Sequence, residues 1–172
     1  LIVKAQILNM YGKQLFEKSI PVTIMEDETK EVLPLDLPDE DVYYIRLTLS
    51  DQKRPISENF YVEGKVEDDW KALNTLPAVR IKSNEKFRKV GDEYQGIVTV
   101  SNPNPTPAMM IRLNLVGADG VQILPVIYSD NYFHLMPGER KTVHVSYRIA
   151  DGRGTTPYVR ISGFNLLGNT VR

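Results

Sequence analysis

Tyr128-Ser129-Asp130-Asn131-Tyr132-Phe133-His134-Leu135-Met136-Pro137-Gly138-Glu139 stands between two runs in which apolar and polar residues alternate. Before it, Met109, Ile111, Leu113 and Leu115 alternate with Met110, Arg112 and Asn114. After it, Val143, Val145, Tyr147 and Ile149 keep the same period of two. That period places one set of side chains on a buried sheet face, and the polar-aromatic stretch between the runs then marks a corner where the chain passes between layers. Pro137-Gly138 supplies the turn that ends it.

Period two dominates elsewhere, and no long segment carries a 3.6-residue apolar repeat, so the expected fold class is all-β. Val3, Ala5 and Ile7 form one inward set, Asn9 to Lys13 a turn, and Ile20, Val22 and Ile24 the next set. Leu33, Leu35 and Leu37 alternate around Pro34, a pattern suited to an edge strand. Tyr43, Ile45, Leu47 and Leu49 make a clean strand, and Glu58 to Glu63 another. Periodicity lapses from Gly64 to Pro77, with a short helical turn around Trp70. Beyond it, Val79 and Ile81 open a second run, Tyr94 to Ser101 alternates, and three prolines force a loop between Asn102 and Pro107. Asp119-Gly120 is a favoured tight-turn pair, ahead of Val121, Ile123 and Pro125, and Tyr158 to Phe164 closes the series.

About five strands in the first part and six or seven in the second predict two tandem immunoglobulin-like β-sandwiches, 1–77 with a connector and 78–172. The first is short of a seven-strand sandwich. It is expected to lack leading strands and to leave an edge for something else, or a second copy in a dimer, to cover. Leu1 to Ile7 reads as a strand already under way, as in a cut from a longer chain.

Composition narrows the function classes. Of 172 residues, 42% are apolar and 25% charged, an ordinary globular balance. With 21 basic and 22 acidic side chains the net charge is −1, which gives no chain-wide attraction to nucleic acid or anionic lipid. No apolar run approaches the roughly 20 residues of a membrane-spanning helix. The chain has no cysteine, which removes disulfides, thiolate metal sites and a cysteine nucleophile. The compartment stays open, with the bacterial periplasm or exterior favoured.

Residues able to do chemistry are sparse. Glu26-Asp27-Glu28, Asp39-Glu40-Asp41 and Glu67-Asp68-Asp69 are consecutive acids, whereas glycoside cleavage needs two carboxyls held apart across a rigid cleft. They read as solvated loop charge. His134 and His144 are the two histidines, too few for a structural zinc site without cysteine. Ser129, Asp130 and His134 can be arranged as a triad on paper, but no oxyanion site accompanies them. Asp130 and Asn131 lack the spaced acidic loop of a calcium site, and no phosphate-binding glycine loop occurs. No cofactor, metal or catalytic residue is expected. Trp70, Tyr128, Ser129, Asp130, Asn131 and Tyr132 remain as candidates for an interface or a pocket rim, because the corner mixes polar and aromatic side chains at one end of a sandwich.

Several strings resemble one enzyme family. Leu124-Pro125-Val126, Tyr128 to Phe133, Leu135 to Glu139 and Ile161-Ser162-Gly163-Phe164-Asn165 are similar to the C-terminal Ig-like domain of glycoside hydrolase family 2 enzymes of the exo-β-D-glucosaminidase and mannosylglycoprotein endo-β-mannosidase type. Val3 to Gln6, Gly12-Lys13 and Ser57 to Tyr61 resemble the preceding Ig-like domain, and Asp69-Trp70 with Leu76-Pro77 the connector. After Phe60-Tyr61 this chain has Val62 where such enzymes usually carry Trp. The resemblance implies a parent that hydrolyses terminal β-linked glucosamine or mannose with retention. The family's two catalytic glutamates belong to an upstream (β/α)₈ barrel and match no position here, so the segment is expected to brace or border that barrel. A stand-alone carbohydrate- or protein-binding module is the competing reading.

Overall fold

The computed structural model describes residues 1–51 and 54–168, about half of them in β-strands. The chain divides into two compact units, Leu1–Leu76 and Pro77–Arg172.

In the first unit, β1 (Ile2–Asn9), β2 (Gln14–Pro21), β3 (Val42–Asp51) and β4 (Arg54–Gly64) form one antiparallel sheet in the order β2-β1-β3-β4. Ala5, Ile7 and Leu8 of the central β1 are buried, as are Val42, Tyr43 and Tyr44 at the start of β3. The β1–β2 turn is fixed by Asn9, whose side-chain oxygen accepts the Tyr11 and Lys13 N–H groups at 3.1 and 3.0 Å. Tyr44 is fully buried, and its hydroxyl donates to the Met10 carbonyl at 3.0 Å.

Two expectations need correction here. Leu33 to Leu37 is not a strand, and residues 22–41 contain no strand at all. Pro34 and Pro38 supply no ladder N–H, and Leu37 stays 61% exposed, so alternation alone did not secure a partner. Ile24, assigned to an inward set, lies beyond the end of β2 and is exposed. Among the described residues this unit therefore has four strands, against the about five read from the sequence, in a single layer. After β4 comes the 3-10 helix Glu67–Thr75, whose first turn is closed by the Asp69 carboxylate accepting the Val66 N–H at 2.8 Å.

Among the described residues the second unit has seven strands. A four-stranded sheet, β5-β6-β10-β8, is built from β5 (Lys82–Val90), β6 (Glu93–Ser101), β10 (Arg140–Arg148) and the short β8 (Ile127–Tyr128). A three-stranded sheet, β11-β7-β9, is built from β11 (Tyr158–Ser162), β7 (Ala108–Val116) and β9 (Phe133–Leu135). Val98, Val143 and Val145 from the first sheet meet Ile111, Leu113, Leu115 and Ile161 from the second in one continuous core. Ile111, Leu113, Leu115, Val143 and Val145 are among the residues that the period of two set on one face of their strands.

Strand β5 was not foreseen. Its sequence, Lys82-Ser83-Asn84-Glu85-Lys86-Phe87-Arg88-Lys89-Val90, is too polar to show a buried face, as suits an edge strand whose outer side meets water. The segment from Val121 to Pro125 makes one isolated bridge, Val116 to Gln122, although Ile123 within it is fully buried.

Candidate functional site: the sheet-to-sheet corner

Strand β8 belongs to one sheet and β9 to the other, so residues 129–132 carry the chain across the edge of the sandwich. Strand β7 explains why those residue types occur there. Its backbone pairs with β9 at Ala108 and Ile111, across a bulge at Met109 and Met110, and among the described residues the same edge further along meets one isolated bridge, Val116 to Gln122, rather than a strand. Unpaired N–H and C=O groups in so buried a strand must find partners. Asn131 supplies two of them. Its side-chain oxygen accepts the Leu113 N–H at 2.8 Å and its amide donates to the Leu113 carbonyl at 3.0 Å, so one side chain stands in for a strand residue. Tyr128 supplies the next: its hydroxyl accepts the Leu115 N–H at 2.8 Å, joining β8 of one sheet to β7 of the other. The Ile123 N–H then serves the Leu115 carbonyl at 3.0 Å. Burial pushes the Tyr128 phenol above its ordinary pKa, while the Leu115 N–H and the Arg112 charge pull the other way.

The remaining corner side chains are spent nearby. Ser129 and His144 exchange two bonds: the Ser129 N–H donates to the His144 carbonyl at 2.8 Å, and the Ser129 hydroxyl accepts the His144 N–H at 2.9 Å. Asp130 pairs with Lys141 at 2.5 Å, and the Lys141 ammonium lies 5.3 Å from the centre of the Phe133 ring. His134 accepts the Met110 N–H through Nδ1 at 3.2 Å. The paper triad is thus dispersed: Ser129, Asp130 and His134 each hold a different neighbour.

Tyr132 differs. It is 57% exposed, adopts a φ of +59°, and has the Arg112 guanidinium 5.8 Å from its ring centre. A positive φ is uncommon for an aromatic residue. The Tyr132 N–H donates to the Asn131 side-chain oxygen at 3.0 Å. Trp70, the other aromatic candidate, lies in the first unit at the 3-10 helix, with its indole over Gly64. A Cβ at Gly64 would stand 2.7 Å from Trp70 Cδ1. The structure therefore gathers Tyr128 to Tyr132 at one corner and sets Trp70 in the other unit.

Three residues outside the candidate set carry comparable structural weight. Buried Asn165 accepts the Met109 N–H at 3.0 Å and donates to the Pro77 and Pro107 carbonyls at 3.1 and 2.9 Å. Buried Asn102 orders the proline loop by donating to the Thr106 and Leu135 carbonyls at 2.8 and 3.0 Å. Glu85 of edge strand β5 turns inward and accepts the Val159 N–H of β11 at 2.9 Å, and burial raises its pKa against that hydrogen bond. Asn102 stood at the head of the proline-rich loop and Asn165 at the end of a family string, whereas Glu85 sits in a strand that periodicity missed.

Among the described residues, no three His, Cys, Asp or Glu side chains gather as a metal-binding set, and no helix is long and apolar enough to cross a membrane. The corner can offer contact surface and rigid shape.

Comparison with known proteins gives these features a family. The exo-β-D-glucosaminidase of Streptomyces avermitilis is 29% identical over 99% of this chain, and that of Amycolatopsis orientalis 43% identical over 67%. A mannosylglycoprotein endo-β-mannosidase from Lilium longiflorum matches 27% of the chain at 45% identity. The crystal structure of the Amycolatopsis orientalis exo-chitosanase superposes over 96% of the chain with a TM-score of 0.81 at 24% identity, a likeness of fold. The chain spans 22% of the length of the Streptomyces avermitilis relative and of that crystal structure. The family model described as the exo-beta-D-glucosaminidase Ig-fold domain matches residues 59–166, more than half of the chain, and the protein belongs to that family.

Proposed function

We propose that this chain is a non-catalytic accessory segment of a glycoside hydrolase, made of two tandem Ig-like units, of which the first holds one layer of an incomplete sandwich. Its parent hydrolyses terminal β-linked glucosamine or mannose. The segment lies C-terminal to the catalytic barrel and braces or borders it. One observation carries this reading: the chain aligns over 99% of its own length with a glucosaminidase of which it spans 22%. The corner agrees with it, since Tyr128, Ser129, Asp130 and Asn131 are engaged by partners within their own sandwich. Of the aromatic candidates, Trp70 and Tyr132 keep about half of their surface exposed, which is available for contact with the barrel or the pocket rim.

Deletion tests the proposal. Removing residues 1–172 from the parent is expected to lower its Tm and its turnover of PNP-β-D-glucosamine, while the segment alone releases no p-nitrophenol. Hydrolysis by the segment, or a parent indifferent to its removal, would refute it. Specific oligosaccharide binding by the segment alone would instead support a stand-alone binding module.

A further inference from the structure

The outward face of the β5-β6-β10-β8 sheet is the least expected surface of the second unit. Its register places Lys86, Ile97 and His144 in one row, and Arg88, Gln95, Ser146 and Ile127 in the next. Lys82 and Arg140 flank Ser101 in a further row. Lys82, Lys86, Arg88 and Arg140 are all exposed, and among the described residues none of the four makes an ion pair. Glu93 is the face's one acid, at the far end opposite Arg148. A chain of net charge −1 thus concentrates positive charge on one sheet face. At its centre a groove of about 600 Å³ is lined by the 48% exposed Ile97 and the 70% exposed Ile127.

Protection of an edge strand accounts for cations on β5. It does not account for Arg140 on β10, nor for two bare isoleucines on inner strand β6 and strand β8. An apolar centre within a charged rim is the anatomy of a protein interface. The outward rows carry no Phe, Tyr or Trp on which a sugar ring could stack, which argues against a glycan. Repulsion between the unpaired cations rises as the face is desolvated, so its occupant must bring carboxylates. More than three quarters of the length of the relatives lies outside this chain, and it provides an occupant.

We propose that this face docks against an acidic protein surface elsewhere in the parent chain, with Ile97 and Ile127 filling an apolar contact and Lys82, Lys86, Arg88 and Arg140 pairing with carboxylates around it. The inference rests on the accessory-segment reading above and adds which face makes the contact and the chemistry of what it meets.

Lysine footprinting of the intact parent tests it. Lys82 and Lys86 are expected to react more slowly with an amine-acylating reagent than the exposed Lys13, and a carbodiimide is expected to link them to Asp or Glu outside residues 1–172. Both effects should be lost in the Ile97→Asp variant and in the Lys86→Glu/Arg88→Glu double variant, the second of which leaves the apolar centre intact. Acylation of Lys82 and Lys86 as fast as Lys13, with no such links, overturns the proposal. So does protection that appears only on adding an oligouronate, which would make the face an anionic-glycan site. In either case the bracing reading is judged separately, by whether deleting the segment lowers the parent's Tm.

Discussion

Asn131 shows how a residue that looks functional in sequence can be structural in space. A polar side chain between Asp130 and two aromatics suggests a recognition loop, yet its amide substitutes for a missing strand beside Leu113. Asn131→Ala leaves both a donor and an acceptor of β7 without partners and is expected to cost about 2–6 kcal/mol, since each unsatisfied buried group costs about 1–3 kcal/mol. Asn131→Asp keeps the acceptor for the Leu113 N–H but faces the Leu113 carbonyl with a second acceptor, so it recovers little of the loss. Urea unfolding of the two variants checks both. Glu85 gives a pH signature. Its folded pKa is raised by burial, so the native state holds the proton more tightly than the unfolded chain does. The group's favourable contribution is therefore complete below its ordinary value, about 4.3, and is lost as pH rises through the raised folded value. Glu85→Gln removes the titration and can still accept the Val159 N–H through its amide oxygen. The Tm of the variant relative to wild type is expected to be higher at pH 7 than at pH 4, and a difference that stays constant with pH would contradict the assignment.

At the scale of elements, the sequence was most legible where one face was wholly buried. Strands β7 and β10 alternate because Ile111, Leu113 and Leu115, and Val143 and Val145, enter a common core. Strand β5 hid because an edge strand can be polar on one face and carry Glu85 and Phe87 on the other, which leaves no apolar repeat to read. Leu33 to Leu37 misled for the opposite reason: the repeat is present, but prolines at 34 and 38 remove the donors a neighbour would need. The corner was legible as a family string, but the use of the Asn131 amide and the Tyr128 hydroxyl as backbone partners depends on where β9 stops pairing with β7, a property of the fold alone. Aromatic rings covering strand glycines are a second device invisible to periodicity. Phe87 lies over its cross-strand partner Gly96, where a Cβ would come within 2.3 Å of Phe87 Cε1, and Trp70 lies over Gly64 in the same way. Because Trp70 is the single tryptophan, Gly64→Ala is expected to shift the intrinsic fluorescence maximum by displacing the indole, whereas Gly96→Ala should leave it unchanged. Equal shifts in both variants would show that the emission does not report the Gly64 contact.

For the whole molecule, the decisive quantity is how much apolar surface each unit closes off for itself. The continuous core from Val79 to Ile161 lies entirely within the second unit, where two sheets face each other. Among the described residues the first unit has a single sheet, its β4 is largely exposed, and its buried apolar residues come mainly from β1 and the beginning of β3. Burial stabilises by about 25 cal/mol per Å² of apolar surface, and a single layer withdraws less of it per residue while paying a similar ordering entropy. Local opening free energies should therefore differ between the units. In native-state hydrogen exchange of this chain, amides of β2 and β4 are expected to exchange first, those of β1 and β3 next, and those of β6, β7 and β10 last. The accessory-segment reading adds a further consequence: if the parent covers the open layer, protection in β1 and β3 rises in the full-length enzyme, while β7 and β10, already sealed within their own sandwich, change little. Uniform protection across all strands of the chain alone would show that the first unit is complete without a partner, and would remove the physical reason for treating it as an incomplete sandwich.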